Sequence, residues 1–292
     1  MKARKGKSRA WLATVLPGLA WLALFLAVPI VLIASISFLS RGEFGEVGRP
    51  WTIDNYKQLA GFGIFGFEPL YPLILFKSAM LALATALVCG VCSLPLAFFI
   101  RSLSARGRMF ALVLLTVPIW TNLLVRTYAW QLLLAPDGWG THLARMVGMA
   151  SAGEGLFPSA GAVLACMVCD YLPLAALPVY ASVEKLDANL VEAAKDLGGS
   201  RWSVFRHAIY PQIAPGLWAG LILVFLPALG QFVVPDLLGG GKTVLLGNLL
   251  QQQFGVSRNW PFGAAITTVF LVVVAAAVIL YGRKRGREEE LL

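Results

Sequence analysis

Six long runs of apolar residues constrain this chain more than any other feature of its sequence. Each run is at least as long as the roughly 20 residues that a helix needs to cross the hydrocarbon core of a bilayer. Four runs contain no charged residue, while the third contains only Arg126 and the fourth only Asp170. The runs are Ala10–Ser40, Ser78–Ile100, Met109–Ala135, Leu156–Ser182, Ala208–Pro235 and Pro261–Tyr281. We therefore predict an all-α membrane protein with six transmembrane helices, since helices satisfy their own backbone polar groups in lipid.

The composition agrees with this class. Hydrophobic residues make up 58% of the 292 residues and charged residues only 13%, whereas soluble domains carry about 25% charged residues. We expect a basic N-terminus over residues 1–9, a six-span domain over residues 10–282 and a charged tail over residues 283–292. The first run is too long for the apolar part of a cleaved signal peptide, so we expect it to be a true first helix.

Basic residues are concentrated at the two termini and in every second connection between the runs. Sixteen of the 24 lysines and arginines lie at the N-terminus, in the second–third connection, in the fourth–fifth connection and in the tail. By the positive-inside rule, both termini and these two connections are cytoplasmic. The formal net charge of +9 is therefore explained by the sidedness of a membrane protein. We expect no nucleic-acid partner.

Prolines and glycines predict the shapes of the helices. Prolines inside the runs predict kinks rather than breaks, because neighbouring helices can satisfy the freed carbonyl groups. Gly216 and Gly220 form a GxxxG pattern, which predicts close packing between helices. The prolines are Pro17, Pro29, Pro95, Pro118, Pro173, Pro178 and Pro227.

The four cysteines form two CxxC pairs, Cys89/Cys92 and Cys166/Cys169. Such pairs often bind zinc. Both pairs lie inside apolar runs, where the deprotonated sulfurs of a metal site would be buried in hydrocarbon. We expect small packing residues at helix contacts instead, and no metal.

Two glycine-rich stretches and the two histidines do not predict a site. Residues 61–66 fit GxGxxG, but no strand precedes them and no helical pattern follows, so we expect an outer aromatic loop. Residues 239–243 end like a phosphate-binding loop, but Asp236 occupies the position of its first glycine, so we expect a turn. His142 and His207 lie on opposite sides of the predicted membrane. We therefore expect no catalytic site and no cofactor bound by this chain.

One charged stretch, residues 187–211, separates the fourth and fifth runs. Asp187 can cap a helix that extends to Leu197, and the next two glycines can end that helix in the left-handed conformation. Ser200 can cap a second helix that Pro211 stops after about Ile209. Apolar strips on the two helices and polar residues at their edge favour either a solvated helical loop or a docking surface for a cytosolic partner. These residues are Leu190, Ala193, Ala194, Leu197, Trp202, Phe205 and Ile209, with Glu192, Arg201 and Arg206 at the edge.

This segment resembles the EAA loop of permease subunits of ABC importers. Glu192-Ala193-Ala194 and Gly198 match the motif and Pro211 falls at the expected distance, while Ala208 and Tyr210 replace the usual Ile and Leu. The resemblance implies a type I ABC importer permease fold in which the segment is a coupling helix that sits in a cleft of the ATPase subunit. The implied ATPase-coupling residues are Glu192, Ala193, Ala194, Gly198, Arg201 and Pro211.

The resemblance extends over most of the chain and is greatest to spermidine/putrescine permease subunits. Of the two permease subunits in such a transporter, the chain resembles the first. The resemblance is carried by residues 124–130, 226–240 and 246–254, followed by Trp260-Pro261. It implies a bacterial inner-membrane subunit that forms the pore for polyamines. The implied partners are a second homologous permease, an extracytoplasmic binding protein and a dimer of ATP-binding subunits, which hold the ATP and magnesium.

The route of a polycation should offer carboxylates, carbonyl groups and aromatic faces. Asp170, with Tyr171 beside it, is the first candidate, because a carboxylate in the middle of a membrane helix is costly and usually functional. The alternative is that Asp170 forms a structural pair with Arg126 of the third run. Further candidates for the substrate pathway are Gln231, Asp236 and Trp130.

Other interpretations change the cargo or the class of protein. The same kind of permease could carry iron, an anion, or an opine or amino-acid derivative, and Arg126 and Lys77 would suit an anion. A membrane-embedded enzyme would need an acid–base or metal cluster within the spans, and the sequence offers only Asp170 and Arg126. A channel would have no use for the EAA loop.

Overall fold

A computed structural model describes residues 4–42, 46–63, 66–148, 155–240 and 244–289. Residues 1–3 of the predicted basic N-terminus, residues 241–243 of the glycine-rich turn and residues 290–292 of the predicted tail lie outside this description. The helices are α1 (Arg4–Ser37), α2 (Asp54–Leu59), α3 (Leu70–Ser102), α4 (Ala105–Trp120), α5 (Leu123–Leu134), α6 (Trp139–Met146), α7 (Ala160–Glu184), α8 (Ala188–Asp196), α9 (Arg201–Val204), α10 (Tyr210–Leu229), α11 (Val233–Leu238), α12 (Leu246–Phe254) and α13 (Trp260–Glu289). The strands are β1 (Leu39–Arg41), β2 (Val47–Trp51), β3 (Phe62–Gly63) and β4 (Gly66–Phe67).

Each predicted apolar run is mostly helix. Among the described residues, four continuous helical segments are long and apolar enough to cross a membrane, and α4 with α5 would make a fifth as one broken span. The sixth predicted run, Pro261–Tyr281, lies within α13. The predicted helical membrane architecture is confirmed, because each run forms helix where its backbone would otherwise be unpaired in lipid.

The third run is not the single kinked helix that we predicted. Helix α4 ends at Trp120, and α5 leaves it at 94°. Pro118 lies in the last turn of α4, where it cannot donate a backbone hydrogen bond. Asn122 then begins α5, since its side-chain oxygen accepts hydrogen bonds from Leu124 N at 2.8 Å and Val125 N at 3.4 Å. A proline followed by a good N-cap residue therefore gives a break.

Short β-hairpins were also missed. Strands β1 and β2 pair antiparallel after α1, and β3 pairs with β4 just before α3. Strand β3 lies within residues 61–66 and not before them, so the predicted absence of a preceding strand holds, whereas a helix does follow at Leu70. The pairing is antiparallel, however, and it lacks the parallel strand and crossover of a dinucleotide-binding fold.

The chain divides into two compact units, the first formed by Met1–Pro72 with Leu250–Leu292 and the second by Leu73–Leu249. In the first unit, α1 packs against α13, and α2 packs against α13. Asn55 joins α2 to the end of α1 and the hairpin, because its amide nitrogen donates to Ser37 O at 2.9 Å and Leu39 O at 2.8 Å. Tyr56 adds a 2.7 Å hydroxyl contact with Ser37.

In the second unit, α7 and α10 form the most extensive helix pair. A Cβ added at Gly220 would lie 3.1 Å from Ala175 Cα, so the two backbones are in close approach. Gly216 lies closer still to α7, since a Cβ added there would be 2.8 Å from Ser182 Cβ and nearer than that to Pro178 O. The close packing predicted from GxxxG is therefore confirmed, although both helices belong to one chain.

The two members of each CxxC pair differ in burial, although packing at helix contacts was predicted for all four cysteines. Cys89 and Cys166 are fully buried, whereas Cys92 and Cys169 are exposed, and all four are free. Cys89 packs with Ala86, Ala175 and Val224 in the core of the second unit. The packing role holds for the first member of each pair, because residues three apart on a helix differ by about 60° in direction.

Candidate coupling and translocation site

Residues 187–211, which we call the EAA segment, begin as the sequence predicted. Asp187 caps α8, since its carboxylate accepts a hydrogen bond from Asn189 N at 2.9 Å. Ser200 caps α9 by accepting one from Ser203 N at 3.3 Å. Gly198 between them has φ +78°, the left-handed conformation that favours glycine.

Gly199 is needed for a different reason. A Cβ at this position would lie 2.6 Å from Ala194 O and 3.2 Å from Val204 Cγ2. At Gly198 the same test finds no atom within 4 Å. The turn therefore needs Gly198 for its backbone angle and Gly199 for space.

The predicted stop at Pro211 is wrong. Helix α9 passes through one π-helical turn, Phe205–Ile209, and continues directly into α10. Pro211 lies immediately after the π-helical turn, as the second residue of α10. The wider turn places Tyr210 N against Phe205 O, five residues back, so the proline is accommodated without ending the helix. The second half of the EAA segment is thus continuous with the fifth predicted span.

The two apolar strips of the EAA segment face different surroundings. Phe205 and Ile209 pack inward against the core at the ends of α3, α4, α7 and α10. Leu197 is 89% exposed, and Trp202, whose ring stacks on that of Phe205 with 5.8 Å between centroids, is 68% exposed. Glu192, Ala193 and Arg201 are exposed and Ala194 is half-buried. The surface open to a partner is therefore smaller than predicted, since Phe205 and Ile209 anchor the segment instead.

Polar contacts that the sequence did not reveal fix this end of the second unit. Arg101, at the end of α3, donates to Leu186 O at 3.2 Å. Arg108 of α4 pairs with Glu184 of α7 at 3.2 Å and also donates to Arg101 O at 3.1 Å. Gln212 of α10 accepts a hydrogen bond from Asp187 N at 3.0 Å. The clustering of arginines beside the runs was the available signal, but it had been interpreted only as a sign of sidedness.

Within the predicted membrane region, Asp170 and Arg126 are adjacent. Arg126 Nε lies 2.5 Å from Asp170 Oδ1, and the Asp170 side chain is only 2% exposed. The guanidinium also donates to Pro118 O and to Thr121 Oγ1, the latter at 3.3 Å. In this structure, therefore, Asp170 of the fourth run forms the ion pair with Arg126 of the third run that the sequence offered as an alternative.

The other candidates for the substrate pathway lie on α5, in the middle of α7, just after α10 and on α11. Gln231 donates to the Tyr171 hydroxyl at 3.2 Å, and its side-chain oxygen accepts from Phe232 N at 3.1 Å at the start of α11. Asp236 is exposed on α11, and Trp130 is half-buried on α5. Tyr171 and Gln231 are thus brought together, whereas no direct contact joins Asp236 or Trp130 to Asp170 among the described contacts.

These features define a class of protein: a multi-span helical membrane protein with a compact helical segment, matching the EAA pattern, continuous with one of its spans. The family model for "Binding-protein-dependent transport system inner membrane component" matches residues 86–283. The chain belongs to this family.

Individual relatives agree with this assignment. The chain is 38% identical over 263 residues to "Spermidine/putrescine transport system permease protein PotB" of Escherichia coli (strain K12), covering 90% of this chain and 93% of that protein. It is 36% identical over 264 residues to the protein of the same name from Haemophilus influenzae, covering 90% of each. In fold it is similar to a chain of a bacterial ABC transporter involved in the import of the acidic polysaccharide alginate, with a TM-score of 0.69, 17% identity and 99% of both chains covered.

Proposed function

We propose that this chain is the membrane-spanning subunit of an ATP-driven importer and forms the translocation pore for spermidine and putrescine. The observation that carries the proposal is the 38% identity to a spermidine/putrescine permease over 90% of the chain. The chain lies in the bacterial inner membrane with both termini cytoplasmic, which the distribution of basic residues supports. Its partners are an extracytoplasmic binding protein that delivers the polyamine, a second homologous permease and a dimer of cytosolic ATP-binding subunits.

The EAA segment couples ATP hydrolysis to the pore. Glu192, Ala193, Gly198 and Arg201 form or border its exposed side, and small alanine side chains allow close approach of another surface. The inward residues Phe205 and Ile209 fasten the segment to the core. Because α9 continues into α10, a displacement of the segment moves the fifth span with it. ATP and magnesium bind to the partner subunits, and this chain needs no cofactor of its own.

Asp170 is the group in the predicted pathway with the chemistry for an amine, and the aromatic ring of Tyr171 lies next to it in sequence. An anion would need free basic groups in the same region. Of the two basic residues that would suit an anion, Arg126 is paired with Asp170. Lys77 is exposed. This pairing favours a cationic cargo over an anionic one.

The test is reconstitution of the whole complex with its binding protein. We expect ATP hydrolysis in vesicles to rise when the binding protein carries spermidine or putrescine, and to remain at the basal rate with sulfate, iron or amino-acid derivatives. A different solute that stimulates hydrolysis would refute the cargo while leaving the coupling role in place.

Coupling is tested in the same vesicles with two variants. Glu192→Ala and Gly198→Asp should assemble but lose the stimulation of hydrolysis by loaded binding protein. Lys185→Ala is the matched control, since Lys185 is exposed just before the EAA segment. Full stimulation in Gly198→Asp would refute the coupling role.

A further inference from the structure

The Arg126 side chain joins both sides of the break in the third run to a neighbouring span. Its Nε contacts Asp170 on α7 at 2.5 Å. Its Nη1 donates to Pro118 O, in the last turn of α4, and to Thr121 Oγ1 in the break itself. A single guanidinium therefore fastens the end of α4, the start of α5 and α7 to one another.

Asp170 has capacity for a second cation. A carboxylate offers about four lone-pair sites. Among the described contacts, Oδ1 has the guanidinium, while Oδ2 has only the Cys166 thiol at 3.9 Å. A thiol is a weak donor, so a stronger donor that approaches Oδ2 has little to displace.

The Arg126–Asp170 pair also resists spontaneous opening. Separating a buried ion pair leaves each charge without compensation, which is far more costly than exchanging one cation for another. A neutral solute or an anion cannot replace the guanidinium at the carboxylate. A primary ammonium group can, since it carries a positive charge and three donors.

We propose that this pair is a clasp that the cargo opens by cation exchange: an ammonium group of the polyamine takes the place of Arg126 at Asp170, and the released guanidinium frees the 94° break between α4 and α5. Arg126 is then a positioning residue, and it sets the shape of the pathway until cargo arrives. The inference rests on the proposed function, because the cargo must be an amine.

Two native cysteines report on the opening. Cys166 is fully buried with its sulfur beside Asp170, so alkylation of this thiol reports exposure at the clasp. Cys89 is equally buried, but its sulfur contacts Val168 O at 3.5 Å instead. Cys89 is therefore an internal control for a general loosening of the second unit.

The experiment uses the complete complex in vesicles. N-ethylmaleimide labelling is followed at each cysteine by peptide mass spectrometry, with empty and with spermidine-loaded binding protein in the presence of ATP. ATP hydrolysis is measured on the same vesicles. We expect spermidine to accelerate the labelling of Cys166 several-fold and to leave Cys89 unchanged.

Variants test the role of the charge. Asp170→Asn keeps the shape of the side chain but holds a guanidinium less firmly, so Cys166 should be labelled rapidly with or without spermidine. Arg126→Lys should retain part of the dependence on spermidine, since it keeps the positive charge but loses the planar guanidinium. Asp137→Asn is the control, because Asp137 is exposed; it should behave as the unaltered chain does.

The outcomes separate the two proposals. If spermidine stimulates hydrolysis but Cys166 labelling is unchanged, or Cys89 labelling rises in parallel, the clasp is refuted and the cargo stands. If spermidine neither stimulates hydrolysis nor changes Cys166 labelling, both the cargo and the clasp are refuted.

Discussion

The contact between α7 and α10 predicts that Gly216→Ala destabilises the second unit. The added Cβ would lie 2.8 Å from Ser182 Cβ, and closer still to the Ser182 hydroxyl and the Pro178 carbonyl oxygen. The hydroxyl can rotate away, but the carbonyl is backbone, so α10 must move away from α7. Overpacking of this kind costs about 1–3 kcal/mol, and better helix propensity returns about 0.8–1.0 kcal/mol. We expect a net loss of about 1–2 kcal/mol, since the clash with the carbonyl is severe.

The assay is thermal unfolding of the purified complex in detergent, followed by tryptophan fluorescence. At about 2–4 °C per kcal/mol for a unit of this size, Tm should fall by about 2–8 °C. Gly230→Ala is the matched control, because its Cβ would meet nothing closer than Pro227 O at 3.9 Å. Adding Ser182→Ala to Gly216→Ala should recover only part of the loss. A Tm at or above that of the unaltered protein in Gly216→Ala would refute the argument.

Three further predictions concern the EAA segment and the ion pairs. Gly198→Ala should cost about 1–2 kcal/mol of backbone strain at φ +78° and reduce cargo-stimulated ATP hydrolysis, whereas Gly198→Asn should retain more, because asparagine tolerates this conformation. Arg126→Ala should destabilise the protein by about 3–5 kcal/mol by leaving Asp170 unpaired, and the double variant Arg126→Gln with Asp170→Asn should regain much of that stability, as measured by Tm. Glu184→Gln removes an ion pair that is partly exposed to solvent. It should therefore lower the free energy of unfolding by less than about 1 kcal/mol, with a correspondingly small fall in Tm. A larger fall would show that the Arg108 contact contributes more than an ordinary surface pair.

Local signals in the sequence predicted much of the EAA segment. The caps at Asp187 and Ser200 and the left-handed glycine at 198 depend on residues close in sequence, and the structure has each of them. The predicted helix end at Pro211 was wrong, because the local signal for stopping a helix competes with the apolar helix that follows. The π-helical turn resolves this competition, and no short pattern in the sequence announces it.

The sequence by itself determined the helical membrane class, the positions of the runs and the turn of the EAA segment, since charge, hydropathy and capping act over a few residues. Only the tertiary structure decided that the third run breaks, that Phe205 and Ile209 face inward, and that Arg126 meets both Asp170 and the break. The spans are apolar on nearly every face, so their sequences do not indicate which face meets which neighbour. Those contacts depend on how distant helices pack, and packing is a property of the whole unit.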